Sequence, residues 1–418
     1  MMLKSSKIRA SLLATLLALP LAGLAALTLS TDALAQSSGG WRKEVFDKFA
    51  AAQEAAKKGS FNDAIRLLKE ARAKAPLSPQ EEHGINEYLI YAASSVRDDK
   101  LVLATVDERL ATGRVTGADL TRKLRLKATT QYRLRDYRGA AATFNQLSSQ
   151  GGLTGDDLTQ LGACQIQLRD FRNAATTLER AIAAKDKAGA SAKTGPLLAM
   201  LNSAYFETGN DAKRLQTLHR LMAVAPTQSV FRQVADVYEN DKTMDLVVKP
   251  VVMINVYRLG ASRRLLSSEH YAKYAETALD MSSPGEAVAM LEKGMANGAI
   301  KKDDRNNRLL ADAKSQVARV KATLPQQEAE ARAIQAGEPE AKVATAYFTL
   351  KNYAKASEAA KRGLEKGKLR RPYDLHMLLG ISLVESKQAA EAKNAFKAAA
   401  AANAKVSGVA DLWSRLAG

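Results

Sequence analysis

The chain has 418 residues, of which 46% are hydrophobic and only 6% aromatic, so its core must be built mainly from small aliphatic side chains. This composition favours thin, closely packed helical layers over one deep globular core. A single cysteine, Cys164, excludes an intrachain disulfide. The 62 Lys/Arg residues outnumber the 44 Asp/Glu residues, and the formal net charge of +18 predicts attraction to acidic partners or anionic surfaces.

Residues 1–35 have the pattern of a cleaved signal peptide. An apolar stretch over residues 11–29 leads to the small-x-small motif Ala33-Leu34-Ala35. The basic residues before that stretch are Lys4, Lys7 and Arg9. We therefore expect an exported, periplasmic protein that starts at Gln36 and is soluble, without stable membrane insertion after cleavage. An uncleaved anchor is the alternative, which Pro20 and the cleavage motif disfavour.

An aromatic residue followed three positions later by alanine recurs along the chain. A helix places such a pair on one face, one turn apart. The four pairs are Phe61 and Ala64, Tyr137 and Ala140, Phe171 and Ala174, and Tyr353 and Ala356. Tyr137 and Phe171 lie 34 residues apart, which is the period of a known helical repeat. The sequence therefore predicts repeated helical hairpins.

Small residues also recur at three fixed positions of each repeat. The sets are Ala52, Ala64, Ala71; Gly162, Ala174, Ala181; Ala275, Ala287, Gly294; Ala344, Ala356, Gly363; and Gly380, Ala392, Ala399. With these residues the sequence resembles the tetratricopeptide repeat (TPR) family. The resemblance implies an all-α fold, a right-handed α-solenoid of tetratricopeptide-like helical hairpins. Pro76 and Pro226 fall where repeats close, and Pro196 and Pro372 where helices open.

The unit around Asn202 has Arg214 and Leu221 at two of the small positions, and two further stretches are irregular. Residues 247–252 contain a strand-like run of valines, for which we expect a helix that restarts at Pro250. We interpret the highly charged residues 303–337 as two helices flanking Pro325, with one long exposed helix or a hinge as alternatives. The predicted organisation is a signal peptide over 1–35, a TPR-like array over 36–300, a degenerate charged helical segment over 301–337 and C-terminal TPR-like repeats over 338–418.

A narrower likeness lies in the C-terminal third of the chain. Leu291–Met295, Ile300–Asp303 and Asn307–Ala313 resemble segments of the periplasmic TPR proteins that accompany TonB-ExbB-ExbD energy-transducing systems. Gly363–Gly367 and Arg371-Pro372 continue this likeness. It implies an envelope scaffold linked to a TonB-type system.

The TPR resemblance also implies where a partner binds. In this family, certain positions of the first helix of each hairpin face a concave groove. In one repeat they are Arg122, Arg125, Thr129, Tyr132 and Arg133, and elsewhere they include Ser203, Phe206, Thr345 and Phe348. Because arginines bind carboxylates bidentately and aromatic rings act as anchors, we expect an acidic or extended segment of another envelope protein in this groove.

No catalytic motif emerges from the sequence. The four histidines have no partner at metal-ligand spacing, so we expect neither a metal nor a cofactor. Cys164 lacks a neighbouring His or Lys, which favours a packing role over a reactive thiol. The predicted function is non-catalytic protein binding, and the predicted export signal argues against nucleic acid. The alternatives are an enzyme, or enzyme subunit, of envelope polymer metabolism and a charge-driven binder of anionic lipid or polysaccharide.

Overall fold

The computed structural model describes residues 40–417, so the predicted signal peptide and its cleavage motif lie outside the described residues. Within this range the chain forms twenty α-helices, two short 3₁₀ helices and no strand. The predicted all-α repeat fold is confirmed. None of these helices is both long enough and apolar enough to cross a membrane.

The chain divides into two compact units, of which the first ends at Thr208. This boundary lies inside the stretch predicted as one array over 36–300. Consecutive helices of the first unit pack in pairs (α1/α2, α3/α4, α5/α6 and α7/α8), each pair packs on the next, and α9 packs on α8. The helices are α1 (Lys43–Lys57), α2 (Phe61–Arg72), α3 (Pro79–Ser95), α4 (Asp99–Ala111), α5 (Gly117–Arg133), α6 (Tyr137–Ser148), α7 (Gly155–Gln167), α8 (Phe171–Lys187) and α9 (Gly195–Glu207).

The second unit starts at Gly209 and contains eleven helices within the described range. Its tightest pairs are α13/α14, α16/α17 and α18/α19, whereas α15 and α20 do not belong to a hairpin. The helices are α10 (Asp211–Val224), α11 (Gln228–Asn240), α12 (Val248–Ser262), α13 (Ser268–Asp280), α14 (Pro284–Ala296), α15 (Asp304–Ala333), α16 (Glu338–Thr349), α17 (Tyr353–Lys366), α18 (Pro372–Glu385), α19 (Ala389–Ala402) and α20 (Ser407–Leu416).

One short turn joins the two helices of each hairpin in the first unit. A residue with positive φ follows the first helix, and the next residue caps the second helix. The N–H of that capping residue donates to a carbonyl oxygen five residues earlier, as from Asp136 to Gln131 at 2.9 Å. The Asp136 carboxylate in turn accepts from the Gly139 N–H at 2.9 Å. Because the turn is so short, each predicted aromatic residue, such as Tyr137, is the first residue of its helix.

The small residues of the repeat lie where the two helices of a hairpin touch. The eleven alanines of the predicted set are fully buried, with no exposed surface. A Cβ atom at Gly162 would lie 2.7 Å from the Leu178 side chain, and one at Gly380 would overlap the Phe396 ring. Larger side chains at these positions would push the helices apart, so the predicted repeat register is confirmed.

The two irregular stretches are both helical. Helix α12 starts at Val248, two residues before the predicted restart at Pro250, because the Asp245 carboxylate accepts the N–H groups of Val247 and Val248, both at 2.8 Å. The prediction of two helices flanking Pro325 is wrong and the alternative of one long helix is confirmed, since α15 is continuous over 30 residues with this proline inside it. Leu324, directly before the proline, is buried, whereas Pro325 itself is exposed.

Helix α20 closes the second unit on itself. The Trp413 indole N–H donates to the Asn255 carbonyl oxygen of α12 at 2.9 Å, and the indole stacks on Phe396 of α19. The Arg263 guanidinium donates to the carbonyl oxygen of Leu416. The last described helix therefore covers the apolar surfaces of both early and late helices of this unit, a role that the repeat pattern does not predict.

We predict that Gly380→Leu destabilises the second unit by about 1–3 kcal/mol, because the new side chain meets the Phe396 ring. Ala390→Leu is the matched control, since Ala390 is exposed on α19, and its effect should stay within about 0.5 kcal/mol. Thermal melts followed by circular dichroism measure both effects. Equal melts for the two variants would contradict the repeat register.

Candidate partner-binding surfaces

Helix α5 carries the five groove positions of one predicted repeat. Arg122 and Arg133 are exposed, and Arg125, Thr129 and Tyr132 are half-buried. Their spacing of three or four residues places them on one side of the helix. The residues between them that pack inward are Lys123, Leu124, Ala128, Thr130 and Gln131. The structure therefore brings these five side chains onto one partly open face.

A cavity of about 550 Å³ lies between the first half of α5 and the loop before α7. We call it the α5–α7 cavity. Arg122 and Arg125 line it from α5, together with Ala118 and Thr121. The loop contributes residues 150–154, in which Gly151 and Gly152 have φ angles of 138° and 96°.

The walls of the α5–α7 cavity are rich in hydrogen-bond donors. Within the described residues, the backbone N–H groups at 151–153 donate to no other group of the protein. Arg125 donates to its partner only through Nε, which leaves its two terminal nitrogens available. Successive free N–H groups beside a guanidinium suit oxygen acceptors.

Each arginine of the predicted acidic-segment site already has an aspartate partner. Arg125 Nε lies 2.9 Å from Asp157 Oδ1, and Arg122 lies 3.1 Å from Asp119. Arg133 donates through Nε to Asp99 Oδ2 at 2.9 Å. These contacts neutralise the three guanidinium groups, so the long-range attraction expected from the sequence is largely cancelled at this face.

The pair of Arg125 and Asp157 joins two neighbouring hairpins. Asp157 is 2% exposed, and it completes a capping box with Thr154 at the start of α7. Its carboxylate accepts from the Thr154 N–H at 2.9 Å as well as from Arg125. Arg125 therefore holds α5 against the start of α7 and also forms part of the cavity wall.

The aromatic groove residue Tyr132 belongs partly to the core. Its ring packs edge-on against Tyr137 with centroids 5.8 Å apart, within a cluster that includes Phe144. Burial raises the pKa of Tyr132, so the phenol stays protonated near neutral pH. Cys164 lies in the same cluster, where burial raises the pKa of its thiol to about 12. The structure thus supports a packing role for Cys164.

The remaining predicted groove residues lie in different surroundings. In the first unit, Ser203 is half-buried on α9 and Phe206 is 56% exposed. In the second unit, the Thr345 hydroxyl donates to the Ala341 carbonyl oxygen at 3.0 Å. Phe348 is only 4% exposed, so it lies inside the packing of this unit instead of on an open groove.

Sequence reasoning missed the buried polar network that covers Phe348. The Arg258 guanidinium lies 4.4 Å from the centre of the Phe348 ring and 2.8 Å from Glu286. Burial raises the pKa of Glu286, but the charge of Arg258 and the hydrogen bonds from Arg258 and Tyr274 together help to lower this pKa overall. The Tyr274 hydroxyl also donates to Glu286, at 2.6 Å. One signal was available, namely an arginine inside the mostly apolar helix α12.

Several ion pairs between layers follow the repeat period, which is a second signal in the sequence. Four examples are Lys123 with Glu87, Arg125 with Asp157, Arg133 with Asp99, and Lys273 with Glu239. Their partners are 32 to 36 residues apart. Opposite charges separated by one repeat would therefore have identified these pairs. No group of His, Cys, Asp and Glu in the described part of the chain is arranged to hold a metal ion.

No protein-family model and no curated protein matches this chain. Among solved structures, a TPR protein from Parabacteroides merdae is similar over 65% of this chain and 100% of its own, at 14% identity and a TM-score of 0.36. The complex of the yeast Sti1 TPR2AB domain with pHSP90 is similar over 72% of this chain and 100% of its own, at 13% identity and a TM-score of 0.25. YrrB, a TPR protein with an unusual peptide-binding site, is similar over 61% of this chain and 98% of its own, at 17% identity and a TM-score of 0.32. At these scores the fold rests on the helix pairs and buried small residues of the chain itself.

We predict that Arg125→Met destabilises the first unit by about 1–3 kcal/mol, because it leaves the buried Asp157 carboxylate without its cation. Arg122→Met is the control, since its partner pair is exposed, and its effect should stay within about 0.5 kcal/mol. Urea unfolding measures the difference. Two equal, small effects would show that Arg125 is not a structural link.

Proposed function

We propose that this protein is a non-catalytic interaction scaffold of the bacterial envelope that holds an extended segment of a partner protein in the α5–α7 cavity. The observation that carries the proposal is the chemistry of the cavity walls. They offer guanidinium and backbone N–H donors, while the nearby carboxylates of Asp119 and Asp157 are already paired. A site with spare donors and occupied acceptors suits a ligand that is rich in oxygen acceptors.

An extended polypeptide segment meets these requirements. Its backbone presents a carbonyl oxygen at every residue, alternately on its two sides, and these oxygens can accept from the N–H donors of the loop. Carboxylate side chains are compatible with Arg122 and Arg125, but the intramolecular ion pairs remove the need for an acidic sequence. Phe206 supplies an exposed aromatic ring on α9 of the same unit as a further anchor.

The envelope location in this proposal rests on the sequence of residues 1–35, and the partner is accordingly an envelope protein. The likeness of Leu291–Met295 and the segments after it to TonB-associated TPR proteins supports a partner from a TonB-ExbB-ExbD system. No cofactor enters this proposal, because its chemistry requires only hydrogen bonding and packing.

We predict that the protein recovered from the periplasm begins at Gln36, because Ala33-Leu34-Ala35 fits a signal-peptidase site. N-terminal sequencing of the purified protein tests this. Ala35→Arg should block cleavage and keep the protein in the membrane fraction. Recovery of the parent protein with an intact leader in the membrane fraction would contradict export by this route.

We predict that Ala118→Trp blocks partner capture, because Ala118 is exposed at the cavity wall and an indole there would project into the space a partner segment needs. Capture is measured in cells by photo-crosslinking from a benzophenone amino acid at Gln150, which lines the same cavity. Ala142→Trp is the matched control, since Ala142 is exposed on α6 and does not line the cavity.

The expected result is a single main adduct that is lost in Ala118→Trp and retained in Ala142→Trp. In a cell lysate irradiated at roughly 0.5 M salt the adduct should still form, because partly buried contacts are screened less than surface charges. An adduct that both variants retain, or that fails to form at this salt concentration, would contradict a cavity-bound segment.

A further inference from the structure

Three consecutive hairpin turns of the first unit carry the same pair of exposed cations. In each turn, an arginine occupies the position with positive φ, and a second cation follows three residues later in the first turn of the next helix. We call these six residues the turn ridge: Arg97 and Lys100, Arg135 and Arg138, and Arg169 and Arg172. None of their side chains forms an ion pair with a carboxylate within residues 40–417. They lie at the opposite end of α5 from the α5–α7 cavity.

The arginines at positive φ are not the residues that this backbone prefers. The φ angles are 59° at Arg97, 63° at Arg135 and 61° at Arg169, a region where a Cβ atom is strained and glycine is not. The α1/α2 turn uses glycine at the equivalent position, Gly59. Glycine therefore fits this turn, and the next three hairpins use arginine instead.

The second cation of each turn is also unfavourable for local stability. Lys100, Arg138 and Arg172 are the second residues of α4, α6 and α8, where the helix dipole disfavours positive charge. The same dipole favours a cation just after a helix C-terminus, as at Arg97, Arg135 and Arg169. This explains their positive charge but not the use of a residue other than glycine at positive φ. An arginine at positive φ and a cation at a helix start are both unfavourable for folding, yet they recur in three neighbouring turns. This recurrence indicates selection for a role other than folding.

The aspartates of these turns do not cancel the charge. Asp98 and Asp136 accept the N–H groups of Leu101 and Gly139 as helix caps, at 3.1 and 2.9 Å. Asp170, in the third turn, accepts from the Asn173 side chain at 2.8 Å. Each turn thus has two cations for one capping aspartate and keeps a net positive charge. The further aspartate of these turns, Asp99, is already paired with Arg133.

The three turns are neighbours in space. The pair of Arg133 and Asp99 joins the α5/α6 turn to the α3/α4 turn. The core cluster that contains Tyr132, Tyr137 and Cys164 joins the α5/α6 turn to the end of α7. With helix layers about 10 Å apart, the ridge extends over about 20 Å.

Apolar side chains lie beside the cations of the turn ridge. Val96 and Leu168, which directly precede Arg97 and Arg169, are 36% and 40% exposed. They are open enough to be covered by a partner. The larger part of each residue is nevertheless covered by the protein.

We propose that the turn ridge binds an acidic, extended segment of a partner protein. Arginine guanidinium groups match carboxylates in bidentate geometry, and Val96 and Leu168 receive apolar side chains between the carboxylates. A strand of about six residues covers the length of the ridge. This surface is separate from the α5–α7 cavity, so the inference does not depend on the proposed function.

The test uses the mature chain and a fluorescein-labelled peptide of about nine residues made of Glu-Glu-Leu repeats, with a Gln-Gln-Leu peptide as the neutral counterpart. In the triple variant R97G/R135G/R169G, the Kd of the acidic peptide measured by fluorescence anisotropy should rise roughly tenfold or more. The neutral peptide should bind neither protein. The thermal midpoint should stay equal or rise, because glycine accepts positive φ without strain. A lower midpoint with unchanged peptide binding would mean that these arginines serve the fold alone.

The control variant R305Q/R308Q/R319Q removes the same charge from exposed positions of α15 in the second unit. Equal weakening by both triples would show that net charge binds the peptide and would overturn the proposal. Binding of phosphatidylglycerol vesicles that depends on the ridge, with no peptide binding, would overturn it in favour of a membrane surface. Ala118→Trp should leave peptide binding unchanged, and a loss there would place the peptide in the cavity instead.

Discussion

The close approach of the two helices in each hairpin is the constraint on which the rest of this structure depends. It requires small side chains at the crossing points, and the alanines there are fully buried. Where glycine replaces alanine, as at Gly162 and Gly380, the space for a Cβ atom is taken by Leu178 or Phe396 of the partner helix. Thin layers follow from this contact, and thin layers let each hairpin pack on both neighbours. A chain with few aromatic residues can therefore bury a continuous core.

The short turn between the paired helices recurs along the first unit and fixes how the two helix ends meet. One residue both ends the hydrogen bonding of the first helix and caps the second, as Asp136 does through its N–H and its carboxylate. The helix ends are thereby fixed relative to each other without a long loop. Because the same turn recurs, the cations attached to it recur at the spacing of the layers. The geometry of one short turn thus places cations at regular intervals on the surface of the first unit.

The parts of the fold that follow local steric rules could be predicted from the sequence. Small residues at fixed spacing identified the helix crossings, and Pro196 and Pro372 marked helix starts. Features that depend on residues far apart in the chain were not predictable in this way. Phe348 is covered by Arg258, and α20 is anchored through Trp413 to Asn255, 158 residues away. Neither contact has a periodic signal, because each occurs once.

The candidate site illustrates why counting cations in a repeat protein is not enough to locate a binding surface. The basic stretch around α5 contains arginines that are paired with an aspartate of a neighbouring layer and arginines that are not. Arg125 and Arg133 meet aspartates that lie one repeat away, and these pairs stabilise the stacking of layers. Arg135 and Arg138, a few residues further on, have no such partner within the described chain. Repeat stacking uses the charges that face a neighbouring layer, so the charges available to another molecule are those at the layer edges. The same periodicity that neutralises the groove face therefore leaves the edge of the first unit charged.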